Sequence, residues 1–141
     1  ELVDFLRAAS SSEEEFDQSM ARMHEALDKA AAKVRSKSKA EISLVGQVDA
    51  LIDTLYFTYG SFVLMGVDPE RIFDIVHQAN MGKIFPDGKA HFDPVTHKIL
   101  KPDDWEEKYA PEPAIERELE RQIQAYQRNV EKTQKETKDE E

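Results

Sequence analysis

Two aspartates that lie four residues apart, Asp49 and Asp53, occur inside the most apolar stretch of the sequence. That stretch runs from Ile42 to Val67 and is long enough for about seven turns of α-helix. Residues at i and i+4 share one face of a helix, so both carboxylates would point the same way. Two like charges among apolar neighbours are costly unless a cation relieves the repulsion, and Mg²⁺ and Mn²⁺ prefer oxygen ligands. The pair is therefore the first candidate for a divalent-metal site, with Asp49 and Asp53 as ligands.

The two aspartates also have a simpler interpretation, in which the helix exposes a polar stripe to solvent. Gln47, Thr54 and Thr58 partly line up with them along the helix. A stripe of this kind needs no metal ion, so the spacing alone leaves both interpretations open.

Two further acidic pairs have a spacing of three residues, namely Glu1 with Asp4 and Glu25 with Asp28. Helical bundles bind Mg²⁺ or Mn²⁺ with carboxylates gathered from facing helices, so Asp4, Glu25 and Asp28 are second-rank candidates for metal ligands. The chain has 29 acidic residues, and this spacing therefore also arises by chance. For Glu25 and Asp28 we favour a solvated helix face.

A group of residues suited to a polyphosphate follows the short helix that the pattern predicts before residue 80. Asn80 and Lys83 lie at the end of that helix, and Gly82 between them would let the backbone approach a ligand closely. Lys101 and Trp105 could add a second cation and an aromatic wall. A lysine after a helix C-terminus also complements the helix dipole without binding a ligand, and this alternative stays open.

The composition indicates one folded domain with an acidic surface. The chain has 141 residues and a net charge of −10, which argues against nucleic acid as the main partner. The absence of cysteine excludes disulfides and Cys-zinc sites and fits a reducing cytoplasm. The central apolar run carries Gln47 and two aspartates near its middle, so we expect no membrane partner and no membrane span.

The hydrophobic pattern predicts an almost entirely α-helical protein. Residues 1–9 resemble the end of a helix, and overlapping S-x-x-E capping boxes from Ser10 to Glu15 predict the start of the next one. The SKSK segment (36–39) would end that second helix. The central helix is predicted from about Ala40 to Gly66, a glycine suited to the C′ position.

The segments after the central helix change in character. Asp68 and Pro69 predict an N-cap and a first turn for a short helix through about Asn80, with inward residues Ile72, Phe73, Ile75, Val76 and Ala79. A P-D-G turn and the following F-D-P-V-T-H-K-I-L predict a small hairpin or ordered loop. Prolines then mark an extended stretch around Trp105, and a charged helix from Ala114 would decay into a frayed tail at 134–141.

Several motifs in residues 44–106 resemble one family when they are taken in order. They are D-A-L-I-D-T-L-Y-F-T-Y-G, G-V-D-P-x-x-I-F-D-I-V-H-Q-A-N-M-G-K, D-G-K and L-K-P-x-x-W. This series is similar to the MazG-like all-α nucleoside triphosphate pyrophosphohydrolases, which include phosphoribosyl-ATP pyrophosphatases and dimeric dUTPases. The resemblance implies an all-α helical bundle with a small hairpin or ordered loop after the fourth helix. It also implies Mg²⁺-dependent hydrolysis of a nucleoside triphosphate to the monophosphate and pyrophosphate.

The resemblance assigns metal ligands to particular positions of this chain. Asp53 matches the aspartate of the family's E-x-x-D helix, but position 50 is Ala50, and Asp49 stands one residue away from the expected glutamate. Glu1 matches the last glutamate of the E-E-x-x-E helix. The first helix and the first two glutamates are absent, which implies either a piece of a longer protein or an incomplete set of ligands.

The resemblance also implies domains, substrate contacts and assembly. Residues 1–110 would form the family domain, with an inserted helix at about 12–38, and residues 111–141 a charged helix and tail. Asn80, Lys83 and Lys101 would neutralise phosphate charge, while Tyr56 or Trp105 would flank the base or the sugar. We expect a homodimer or a dimer of dimers. The alternative is a non-catalytic oligomerisation or nucleotide-sensing module with a degraded metal site.

Overall fold

The computed structural model describes residues 1–37 and 42–139, which form six α-helices and two isolated β-bridges. The all-α fold expected from the sequence is confirmed. The chain divides into two compact units, Glu1–Val45 and Gly46–Glu141. The family-domain boundary expected at residue 110 is a different division and stays a prediction.

The first unit contains helix α1 (Leu2–Ala8) and helix α2 (Glu13–Lys37). The cap of α2 is Ser12, whose hydroxyl accepts the Glu15 N–H at 3.2 Å. The Glu15 carboxylate in turn accepts hydrogen bonds from the hydroxyl and the backbone N–H of Ser11, and these bonds lower its pKa. The predicted end of this helix falls partly at residues 38 and 39, which lie outside the described residues, as does the predicted start of the central helix at Ala40.

The packing of α1 on α2 involves the first two turns of α2. Arg7 forms an ion pair with Glu13, and its guanidinium lies 5.5 Å from the centroid of the Phe16 ring. Phe16 and Met20 are half-buried, whereas Leu27, about two turns farther along α2, is exposed. The large apolar side chains of α2 are therefore covered in its first half only.

Helix α3 (Leu44–Met65) carries the central apolar run and ends at Gly66 as predicted. Gly66 has a positive φ of 70°, and its N–H donates to Val63 while the N–H of Val67 donates to Phe62, both at 3.0 Å. These are the two hydrogen bonds of a Schellman motif, which needs a left-handed residue at the C′ position. The large apolar side chains of α3, by contrast, are almost all exposed.

Helix α4 (Glu70–Met81) begins after Asp68, whose carboxylate accepts the Glu70 N–H at 3.1 Å. Ala79 is buried and Ile72 is half-buried, in agreement with the prediction. Val76 was expected to face inward and is 38% exposed, and Phe73, also expected to face inward, is 70% exposed. It lies about 100° around the helix from Ile72, beyond the face that the neighbouring elements cover.

A small bridged loop and a short helix follow α4. Two antiparallel bridges, Ile84↔Ala90 and Phe92↔Ile99, confirm the predicted hairpin or ordered loop. The stretch around Trp105 was expected to be extended, but it forms helix α5 (Trp105–Tyr109). The Asp104 carboxylate pairs with Lys108 one helical turn later, at 2.6 Å, which supports this single turn.

Helix α6 (Glu112–Asp139) contacts α4. It extends through residues 134–139, where the sequence predicted fraying, and the last two residues lie outside the described ranges. This part of the chain is rich in Lys, Glu and Gln, which favour helix. Lys132 and Glu136 add a pair at i, i+4, with 3.8 Å between their charged atoms.

Within residues 1–37 and 42–139, no single helix has both the length and the apolar content needed to cross a bilayer. Helices α3 and α4 would reach that threshold only when taken together, and the chain bends by 119° between them.

Candidate functional site

The end of α4 holds Asn80 and Lys83 in direct contact. The Lys83 ammonium donates a hydrogen bond to the Asn80 side-chain oxygen at 2.8 Å, and the Asn80 amide donates to the carbonyl of Val76 at 3.1 Å. The helix backbone thus anchors Asn80, and Asn80 in turn orients Lys83. A free lysine completing the helix dipole would not need this partner.

The turn after α4 needs glycine at position 82 because of Tyr109. A Cβ on Gly82 would lie only 2.5 Å from the Tyr109 ring. The Tyr109 ring, at the end of α5, therefore packs directly on the backbone between Asn80 and Lys83. This close approach is a requirement that the sequence did not indicate, since Gly82 was expected to admit a ligand.

Trp105 is the residue that joins α5 to α4. It is only 5% exposed, and its indole N–H donates to the carbonyl of Ala79 at 2.8 Å. Because the ring is buried and bonded to α4, it contributes to the packing of the second unit. The same ring also lies near the ammonium groups of Lys83 and Lys101.

The ammonium groups of Lys101 and Lys83 both approach the ring of Trp105. Their nitrogens lie 3.7 Å and 5.8 Å from the ring centroid, within the range of cation–π attraction. Lys101 also pairs with the carboxylate of Glu106 at 3.2 Å. Lys83, Lys101, Asn80 and Trp105, which the sequence selected from separate motifs, are therefore brought together.

Lys83 and Lys108, which lies on α5, differ in the charge of their hydrogen-bond partners. Lys108 is hydrogen-bonded to Asp104, and this contact lowers the pKa of the Asp104 carboxyl and raises the pKa of Lys108. Lys83 makes its hydrogen bond to a neutral amide instead. In a chain with a net charge of −10, the ring of Trp105 thus lies near two ammonium groups, of which that of Lys101 is paired with the carboxylate of Glu106.

The candidate metal ligands Asp49 and Asp53 lie on α3, and both are exposed. Because both side chains are exposed, neither carries the free-energy cost of burying a charge that the apolar sequence around them had suggested. The hydroxyls of Thr54 and Thr58 donate to the carbonyls of Ala50 and Thr54, four residues earlier, at 2.8 Å. The threonines therefore satisfy the helix backbone. Tyr56, the predicted neighbour of the base, is also exposed on α3.

The remaining acidic candidates belong to the first unit. Glu1 precedes α1, Asp4 lies in its first turn, and both are exposed. Glu25 pairs with Lys29 at 2.6 Å on the exposed surface of α2, next to Asp28. Glu25 therefore lies on an exposed face of α2, which is the position favoured for it from the sequence.

A divalent ion fits the donors of α3 only in part. Across the described ranges, no group of three or more histidine, aspartate or glutamate side chains is gathered for a metal ion. Asp49 and Asp53 provide two carboxylates on one helix, and Mg²⁺ in phosphate-transfer sites is commonly held by one or two carboxylates together with substrate phosphates and water. The pair therefore suits Mg²⁺ that arrives with a polyphosphate better than a resident metal cage.

Sequence reasoning missed two residues that support the lysine site, which consists of Asn80, Lys83, Lys101 and Trp105. Glu106 pairs with Lys101 at a separation of five residues, which is not a helical spacing and gives no periodic signal. Tyr109 packs on Gly82 across 27 positions, and a contact of this kind depends on how α5 folds back onto α4.

Comparison with known proteins agrees with the family resemblance. The model of the phosphoribosyl-ATP pyrophosphohydrolase family matches residues 1–80. The crystal structure of a proposed NTP pyrophosphohydrolase from Exiguobacterium sp. 255-15, at 1.78 Å resolution, has 41% sequence identity and a TM-score of 0.78. The match covers 88% of this chain and 73% of that one. No curated protein matches the chain significantly.

Proposed function

Because the chain belongs to the phosphoribosyl-ATP pyrophosphohydrolase family, within the MazG-like all-α group, we propose that it hydrolyses a nucleoside triphosphate to the monophosphate and pyrophosphate. The observation that carries the proposal is the convergence of Lys83 and Lys101 on Trp105, beside Asn80. This gives a strongly acidic protein a local site with positive charge, as a polyphosphate requires. A housekeeping role on nucleotide pools would follow from such an activity.

In this proposal Asp49 and Asp53 hold Mg²⁺, or Mn²⁺, as two carboxylates on one face of α3. The bound ion would supply charge neutralisation of the triphosphate and a lowered pKa for a bound water molecule. The protein's own groups do the rest. Asn80, Lys83 and Lys101 bind phosphate oxygens, and Tyr56 on α3 flanks the base or the sugar.

The chemical step is an in-line displacement at the α-phosphorus. A water oxygen forms a bond to that phosphorus, and the bond from it to the oxygen that bridges to the β-phosphorus breaks. The electron pair of the broken bond leaves with pyrophosphate. The proton of the water passes to a further carboxylate that acts as general base, while Asp49 and Asp53 serve catalysis by holding the ion.

The proposal includes a homodimer, or a dimer of dimers, with α3 in the interface. Within the part of the chain that the structure describes, only Ala79, Trp105 and Glu118 are buried. Most of the large apolar side chains of α3 are open to solvent, and a surface of this kind marks an interaction site. A second copy of the chain supplies an apolar helix of matching length.

Two observations favour a second candidate function. The E-x-x-D glutamate is replaced by Ala50, and the described residues gather no three-carboxylate cluster. A nucleotide-sensing or oligomerisation module would keep the lysine site and the exposed α3 without needing hydrolysis. Binding of nucleotide without turnover would identify the sensor, and the lack of either would identify the oligomerisation module.

A panel of nucleoside triphosphates with Mg²⁺, scored for pyrophosphate against orthophosphate, tests the proposed function. We expect pyrophosphate from at least one of them. Lys83→Ala should weaken binding or turnover, because it removes a phosphate ligand. Lys29→Ala should leave both unchanged, since that lysine pairs with Glu25 on the surface of α2. Equal effects of the two substitutions would contradict the proposed site.

A further inference from the structure

We propose that Trp105 is a positioning residue: its buried ring holds the ammonium groups of Lys83 and Lys101 side by side, ready for one polyphosphate. The inference rests on the proposed function and goes beyond it in one respect. It assigns to the indole the task of arranging the phosphate ligands, in place of stacking on the nucleotide base. It also assigns to Glu106 the role of a competing anion.

The two lysines come from different parts of the second unit and need a common support. Lys83 follows α4, Lys101 precedes α5, and the bridged loop lies between them. Two ammonium groups repel each other when they approach, and a neighbouring anion or the negative face of an aromatic ring offsets that repulsion. The ring of Trp105 is within 6 Å of both nitrogens, so it provides that support.

The ring is itself held in place. Trp105 is almost fully buried, and its N–H is bonded to the carbonyl of Ala79, the residue directly before Asn80. The indole therefore moves with the last turn of α4, which also carries Asn80. The ring is almost fully buried and the Lys101 ammonium lies over it, 3.7 Å from the ring centroid, so little of its face is left for a nucleotide base.

Glu106 forms an ion pair with Lys101 in the structure. The two charged groups are 3.2 Å apart, with 48% of the Lys101 side chain and most of the Glu106 side chain exposed. An exposed pair of this kind is weak, so a polyphosphate with several negative charges displaces the carboxylate at small cost. The lysine then keeps its place above the ring and exchanges one anion for another.

The first experiment compares Trp105→Phe with Trp105→Leu. Both substitutions remove the N–H bond to Ala79, but only phenylalanine keeps an aromatic face. We expect Trp105→Leu to raise the KM for the nucleoside triphosphate and the Kd for pyrophosphate roughly 5- to 30-fold, as expected for the loss of cation–π contacts. Trp105→Phe should recover most of that loss at similar thermal stability. If the two variants bind pyrophosphate equally well, the proposal is wrong.

A second measurement does not depend on whether a Trp105 variant folds. Trp105 is the only tryptophan of the chain, so the emission of the unmodified protein reports its surroundings. Saturation with pyrophosphate should change that emission, Lys101→Met should reduce the change, and Lys98→Met in the same loop should preserve it. An unchanged emission at saturation, or equal responses of the two lysine variants, would overturn the inference.

The outcomes separate this inference from the proposed function. If no nucleoside triphosphate is hydrolysed but pyrophosphate binding depends on Trp105 and Lys101 as described, the enzyme assignment fails and the arrangement of the anion site stands. If hydrolysis occurs and the Lys101 and Lys98 variants behave alike, the enzyme assignment stands and the role given to Trp105 fails.

Discussion

The side-chain amide of Gln122 forms two hydrogen bonds with the backbone of Asp68. Its oxygen accepts the Asp68 N–H and its nitrogen donates to the Asp68 carbonyl, both at 2.9 Å. The same nitrogen also donates to Glu118 at 3.0 Å. One residue of α6 thus secures the turn between α3 and α4, the two helices that carry the candidate carboxylates and the start of the lysine site.

Substitution of this amide should destabilise the turn. Gln122→Ala leaves the backbone groups of Asp68 without their protein partner. Because these groups are exposed and can bind water instead, we expect the free energy of unfolding to fall by about 0.5–1.5 kcal/mol. Urea unfolding measures the change. Gln124→Ala, at an exposed position of the same helix, is the matched control and should change stability by about 0.5 kcal/mol or less. Equal losses for the two variants would show that the contact with Asp68 contributes nothing.

The stability of the second unit should depend on pH through Glu118. Hydrogen bonds from Arg121 and then from Gln122 lower the pKa of Glu118 from 4.5 to about 2, and the side chain is 8% exposed. Because the pKa is lower in the folded state, the stabilisation is present above pH 4.5 and is lost as the pH falls toward 2. Unfolding followed from pH 6 to pH 2 should show this loss in the unmodified protein.

Glu118→Gln provides the comparison, since glutamine does not titrate. The stability difference between the two proteins should shrink steadily between about pH 4.5 and pH 2. A constant difference across that range would mean that other carboxyls account for the acid sensitivity.

The assembly proposed for α3 can be tested with two exposed valines. Val63 on α3 is 77% exposed, and Val95 in the bridged loop is 83% exposed. Val63→Glu should shift the protein from dimer to monomer at micromolar concentration, because a charge in an apolar interface is poorly solvated. Light scattering should show no change for Val95→Glu. A monomer for the unmodified protein, or the same mass for both variants, contradicts the proposed interface.

Metal binding at the α3 carboxylates should be visible as a shift in Tm. Mg²⁺ that binds the folded state raises its stability, by about 2.7 kcal/mol at 100 times the Kd. Asp53→Asn should abolish the rise and slightly stabilise the metal-free protein, because like charges at i, i+4 repel by about 0.2–0.5 kcal/mol. Asp17→Asn on α2 is the control and should keep the full rise. If Asp53→Asn keeps it too, the metal does not bind at this residue.

Much of the fold could be predicted from local signals. Gly66 ends α3 because its positive φ closes a Schellman motif, and Ser12 and Asp68 cap the helices that they precede. Such features depend on a few consecutive residues, so the sequence displays them directly. Helix α5 was missed because prolines surround it, and it consists of one turn.

The site could be predicted only as a set of unconnected motifs. Lys83, Lys101 and Trp105 were each chosen for their own residue type, and no sequence pattern indicated that both lysines converge on one ring. The burial of Trp105 was also missed, since it depends on the docking of α5 against Ala79 at the end of α4. The roles assigned to Asp49, Asp53 and the lysine site in catalysis stay predictions.

The most direct test of the proposed function is hydrolysis in H₂¹⁸O of the nucleoside triphosphate that the panel turns over fastest, with products resolved by ³¹P NMR. We predict Mg²⁺-dependent formation of a nucleoside monophosphate that carries one ¹⁸O atom and of unlabelled pyrophosphate. This result requires attack of water at the α-phosphorus. Orthophosphate as the product, ¹⁸O in the pyrophosphate, or no hydrolysis of any nucleotide in the panel would contradict the assignment.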